Sequence, residues 1–209
     1  KNMNLGINNC TGNCSGWTTS GKFGNALQFD GVNDYVNMGN AASLDITSGT
    51  ISAWVYAVAS PAVEGEIIWA TNVYSFDMLH KPNGAWQVLV STNGSSFTTS
   101  IATNGVITLN TWIHLVATYN ETSGDLKRYK NGILLDTTTS AGGSIAPNTG
   151  YNIGARNTGT FGFNGSIDDV RIYNRSLSAA EITSEYNRGK DRLLLTRNEE
   201  GAYSANSDW

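Results

Sequence analysis

The sequence predicts an all-β protein built of short antiparallel strands, with one small helix near its end. Three observations predict it. Apolar and polar residues alternate with period 2 in many short runs, Gly, Asn and Asp punctuate those runs, and one segment alone carries helical spacing. The composition agrees. Of 209 residues 23 are Gly and only 14% are charged, against about 25% charged in an average soluble domain. The polarity is therefore mostly hydroxyl and amide, which suits strands joined by tight turns.

Taken in order, strands are expected at residues 26–29, 35–38, 50–58, 66–70, 74–79, 86–90, 112–119, 126–129, 133–136, 151–153 and 166–173. Asn131-Gly132 joins two of them, a pair that tolerates the positive φ of a type I′ hairpin turn. The helix is expected near residues 179–187. Ser178-Ala179-Ala180-Glu181 reads as a capping box, and Ile182 and Tyr186 fall one turn apart on one face. No internal repeat is evident, and 3 Pro leave no stiff linker.

Several function classes drop out early. A net charge of −4 without a Lys/Arg cluster argues against nucleic acid, whose phosphates need concentrated positive charge. No apolar run reaches the roughly 18 residues of a membrane span. With 40% hydrophobic residues, including 6 Trp, 9 Tyr and 6 Phe, the chain can fill a core and is not disordered. Cys10 and Cys14 are too few ligands for zinc. They read either as a disulfide closing one loop, which would imply an oxidising compartment, or as two free thiols. Asn-X-Ser/Thr sequons at Asn9, Asn13, Asn93, Asn120, Asn164 and Asn174 permit N-glycosylation. Starting at Lys1, the chain is expected to be processed or a fragment, and to work outside the cell or at its surface.

Four segments carry a family resemblance. They are Gly21-Lys22-Phe23-Gly24-Asn25-Ala26-Leu27-Gln28-Phe29-Asp30-Gly31, Ile51-Ser52-Ala53-Trp54-Val55, Trp112-Ile113-His114-Leu115-Val116-Ala117-Thr118-Tyr119, and Gly165-Ser166-Ile167-Asp168-Asp169-Val170-Arg171-Ile172-Tyr173. In this order and at these distances they resemble LamG-like jelly-roll domains of the concanavalin A-like lectin/glucanase superfamily. The resemblance implies a two-sheet jelly-roll sandwich. It also implies a job in adhesion or carbohydrate recognition, with a glycan or cell-surface polysaccharide as partner. Such domains usually open with a Leu-Leu-Leu-x-x-x-Glu-x-Gly strand, which this chain lacks at its start. Leu193-Leu194-Leu195-Thr196-Arg197-Asn198-Glu199-Glu200-Gly201 looks like that strand displaced to the C-terminus. Residues 1–190 then form a sandwich one strand short, and 191–209 complete it in cis or pair with another copy. The second alternative would make a filament. A third is that the chain is a piece of a tandem array.

The superfamily includes hydrolases, whose retaining members need two carboxylates about 5 to 5.5 Å apart. Glu64 and Glu66, beside Trp69, come closest, but no further acid follows at the required offset, and Glu199 and Glu200 would point to opposite faces of a strand. His80 and His114 are the 2 His, and His114 reads as structural. The expected protein is non-catalytic. Asp30, Asn33 and Asp34 in one turn, with Asp168 on a late strand, supply the oxygen ligands of a structural calcium ion. The resemblance puts Asp168 in the ligand position. The other reading makes Asp30 a turn cap and pairs Asp169 with Arg171. For a sugar, which needs ring faces and a few amides, the candidates are Trp69, Tyr74, Trp86, Arg156 and Asn157, with Trp17, Tyr151 and Phe161 in similarly unconstrained segments. The loop from Arg156 to Phe161 is rich in sugar-binding groups and is equally an ordinary turn.

Overall fold

The period-2 runs do pair into two antiparallel sheets. The structure, a computed structural model, describes residues 16–71, 75–97, 105–156 and 160–202, the last twelve by backbone only. The strands are β1 (Trp17–Gly21), β2 (Gly24–Asp30), β3 (Val36–Asn37), β4 (Gly49–Ala57), β5 (Gly65–Ala70) and β6 (Phe76–His80). They continue with β7 (Trp86–Val90), β8 (Trp112–Tyr119), β9 (Asp125–Lys130), β10 (Ile133–Thr139), β11 (Tyr151–Ile153) and β12 (Asn164–Tyr173), and helix α1 (Ala179–Ala202) follows. One sheet has seven strands in the order β1-β2-β12-β4-β8-β9-β10, and the other has five in the order β3-β11-β5-β6-β7. This is the expected all-β jelly-roll sandwich.

Alternation decides what lies between the sheets. On β4, Ile51, Ala53, Val55 and Ala57 enter the core with Ile113, Leu115 and Ala117 of β8. From the other sheet come Phe76, Met78, Trp86, Val88, Val90, Tyr151 and Ile153. The residues between those of β4 (Ser52, Trp54 and Tyr56) face the opposite way. There α1 closes the surface, Ile182 joining Val116, Tyr129 and Leu177 in a second apolar cluster. Trp54 stacks on His114 at 5.0 Å and on Tyr186 of the helix at 5.8 Å. Gly189 makes that approach possible, since a Cβ there would meet the Phe23 ring at 2.9 Å and the Trp54 ring closer still. The hairpin turn is as expected, with Asn131 at φ 52° and Gly132 at φ 78°.

Two expectations are corrected. The helix does not stop near 187 but runs to Ala202, so Leu193, Leu194 and Leu195 are helical and no strand forms there. The physical reason is local. The capping box nucleates the helix, Ser178 Oγ accepting from the Glu181 amide at 3.3 Å and Glu181 Oε2 accepting from the Ser178 amide at 2.9 Å. Beyond it Arg, Lys, Leu and Glu are strong helix formers, and each added residue continues an existing ladder. β1, at one edge of the seven-stranded sheet, pairs with β2.

Candidate functional site

The five-stranded sheet carries charge on the face turned away from the core. Because Phe76 and Met78 of β6 enter the core, Asp77 and Leu79 point outward. Register sets Glu66 opposite Leu79, Asn152 opposite Trp69, and Asp77 opposite Leu89. Asp77 and Glu66 are nevertheless 1% and 0% exposed. Arg156, just past β11, spans the carboxylates: its Nε donates to Glu66 Oε1 at 2.9 Å and its Nη2 to Glu64 Oε2 at 3.4 Å. Lys81 Nζ donates to the other oxygen of Glu64. Asp77 Oδ1 accepts from the Ala70 amide at 2.7 Å. Glu66 Oε2 is buried without a hydrogen-bond partner.

Burial governs the protonation of these groups. It pushes the Glu66 carboxyl up to about 7, and the Arg156 charge opposes only part of that rise. Asp77 is raised well above the usual carboxylate range by burial and then by the neighbouring Glu66 charge. Burial also lowers His80 to about 4.

Beside this cluster lies a crevice of about 490 Å³. Gly31 and Val32 form one wall, residues 60–64 another, and Thr160, Phe161, Gly162 and Asn164 a third. Phe161 has φ 58°, a conformation that costs a bulky residue about 1–3 kcal/mol. It is held there from two sides. Its carbonyl accepts from the Glu66 amide at 2.8 Å, and the Arg156 guanidinium lies 4.0 Å from its ring centroid. The ion-paired cluster thus positions an aromatic ring in the crevice wall.

The expected glycan residues divide. Trp69 is half-buried on β5 and Arg156 is part of the cluster, so the structure brings these two to one sheet face. Trp86 is core, 0% exposed, with the Arg128 guanidinium 5.0 Å from its ring centroid, and is corrected as a sugar candidate. Tyr74, Asn157, Cys10 and Cys14 lie outside the described residues. Sequence reasoning weighed Glu64 and Glu66 only as hydrolase acids and missed them as the ion-pair partners of Arg156. The available signal was a lone Arg in an otherwise uncharged loop.

The expected calcium ligands do not converge. Asp30 and Asp34 share a turn, where Asp34 Oδ2 accepts from the Asp30 amide at 3.1 Å and Asp30 Oδ1 from the Val32 amide at 2.7 Å. Asn33 sits in the same turn. Asn164 is the residue opposite Asp30, so Asp168 lies four residues farther along β12, about 13 Å away. Both Asp168 oxygens are engaged, one by the Phe23 amide at 2.8 Å and one by the Asp169 amide at 2.7 Å. These four residues do not fit one ion. Among the described residues no three His, Cys, Asp or Glu gather as a metal site.

The Laminin_G_3 model of the Concanavalin A-like lectin/glucanases superfamily matches residues 30–183. The chain belongs to this superfamily. No curated protein matches it. Among solved structures it is similar to the binding domain of Paraclostridial Mosquitocidal Protein 1, with 18% identity over 90% of this chain and 48% of that one at a TM-score of 0.68. The Botulinum Neurotoxin serotype G binding domain gives 17% identity, 81% and 44% coverage, and a TM-score of 0.64. The carbohydrate-binding module of the Ruminococcus gnavus IT-sialidase, solved bound to α2,3-sialyllactose, gives 14% identity, 77% and 96% coverage, and a TM-score of 0.65. The chain covers less than half the length of the two toxin domains. At these identities the likeness is one of fold.

Proposed function

We propose that this superfamily member is a non-catalytic carbohydrate-binding module, acting outside the cell or at its surface, and that sugar binds in the crevice walled by Phe161. The observation that carries this reading is the strained Phe161 ring, held by Arg156 and by the Glu66 amide in a wall shared with Ser60, Thr160 and Asn164. A ring face for the apolar side of a pyranose, with hydroxyls and an amide for its oxygens, is the chemistry of sugar recognition. Strain of this kind is maintained only where the surroundings enforce it. The fold likeness to a module titled as a sialyllactose complex lends support. Glu66 is unsuited to catalysis, since it is sealed from solvent and spends one oxygen on Arg156.

The test is titration of the protein with an oligosaccharide panel, read by amide NMR shifts. Shifts should concentrate at residues 31–32, 60–64 and 160–164. Phe161→Ala should weaken binding about tenfold or more, as loss of a stacked ring does. Sugars that leave these amides unmoved at millimolar concentration would sink the proposal.

A further inference from the structure

We infer that the Phe161 crevice selects uncharged sugars and rejects sialylated and uronic ones. The inference rests on the reading of the crevice as a sugar site and adds the ligand class. A carboxylated sugar needs a free cation, usually a guanidinium offering two parallel donors. Here the two cations nearest the crevice are already committed. Arg156 bridges Glu66 and Glu64, and Lys81 pairs with Glu64. Diverting Arg156 to a ligand would leave Glu66, wholly buried, without its counter-charge, a costly state. Among the described residues lining the crevice Glu64 is the charged one, and Lys81 and Arg156 already pair with it, so an incoming carboxylate finds no uncommitted cation in these walls.

The other walls suit neutral hydroxyls, with the Ser60 side chain, the Asn164 amide, and apolar surface from Val32, Pro61 and Phe161. The solved sialyllactose complex of similar fold therefore does not predict this chain's ligand.

The experiment compares matched pairs by calorimetry and NMR: lactose with α2,3-sialyllactose, and galactotriose with the galacturonate trimer, alongside neutral gluco-, manno- and xylo-oligosaccharides. Neutral sugars should bind, and a carboxylated partner should bind about tenfold or more weakly than its neutral counterpart. In Glu64→Gln, which removes the carboxylate that occupies Lys81, that ratio should narrow. Equal or tighter binding of the acidic sugars by the natural chain overturns the inference and leaves the sugar site standing. A ratio unmoved in Glu64→Gln also overturns it. Binding by none of the probes overturns the sugar site itself, and this inference with it.

Discussion

The two outer faces of the sandwich are closed in different ways. Over the seven-stranded sheet the chain seals its own surface with α1, stacking Tyr186 on Trp54 and His114 and seating Ile182 beside Val116, Tyr129 and Leu177. That face is aromatic and apolar, as stability alone would have it. Over the five-stranded sheet the buried groups are Glu66 and Asp77, with Arg156 spanning two carboxylates. Buried ion pairs add little net stability compared with apolar residues of the same shape. The difference teaches where to look for function: one face is built to hold, and the other retains an arrangement that folding does not require.

The largest effects should come from cutting each face at its centre. Trp54→Ala should cost about 3–5 kcal/mol in urea denaturation through the cavity it leaves. Arg156→Leu should cost less, about 1–3 kcal/mol, for another reason: it leaves the buried Glu66 carboxyl without its hydrogen-bond partner. The contrast sharpens in the double variant Arg156→Leu/Glu66→Leu, which should recover most of the lost stability yet bind no sugar. A double variant as unstable as the single one would refute the view that this pair is kept for function.

The buried histidines and the buried Glu66 carboxyl should also respond oppositely to pH. His80 and His114 are both held near 4 by burial, with the Arg171 and Arg188 charges adding to the shift of His114. The unfolded chain takes up their protons near 6.5, so stability should fall as pH drops from about 6.5 to 4, by up to about 3 kcal/mol for each histidine. Glu66 works the other way. Folded, it holds its proton up to about 7, whereas unfolded it releases it near 4.5, so its contribution is lost as pH rises between those values. Denaturation midpoints measured from pH 4 to 8 should show Glu66→Gln reducing the loss at rising pH, with the buried Asp77 supplying the rest, and leaving the loss at falling pH intact.

Smaller effects concern how the sealed face is fitted. Gly189→Ala would raise helix propensity by about 1 kcal/mol on an open surface. Here the added methyl meets the Trp54 and Phe23 rings, and the variant should lose about 1–3 kcal/mol in thermal or chemical unfolding. Asp168→Ala should lose about 1–2 kcal/mol by releasing the Phe23 and Asp169 amides. The loss should be the same in EDTA and in added calcium, and a Tm deficit confined to calcium-containing buffer would restore Asp168 as a ligand.

Most strands were legible because each sheet has a core face, and burial of one face imposes period 2. β1 was not. Trp17-Thr18-Thr19-Ser20-Gly21 is an edge strand with no buried residue, so no alternation marks it. The leucines at 193–195 misled because three apolar residues in a row fit a strand or a helix equally well, and the decision came from the cap fifteen residues upstream of Leu193. Part of the crevice and its cluster was legible as residue types, Arg156 and Phe161, whereas the burial of Trp86 was not, because an aromatic before an alternating run looks the same in a core or on a surface. The Arg156–Glu66 pair was not legible. It joins positions ninety apart through a register that exists only once β11 and β5 have paired.

The order of strands at one edge also sets how the molecule would bear load. β1 and β12 are each antiparallel to β2, which lies between them, so they run in the same direction. Trp17 lies level with Ile167, both opposite Leu27, and Tyr173 lies six residues farther along, about 20 Å. A pull between Trp17 and Tyr173 therefore runs along the strands and loads their hydrogen bonds together in shear, instead of opening them one at a time. Once α1 has peeled away, this edge would yield to tension late and all at once.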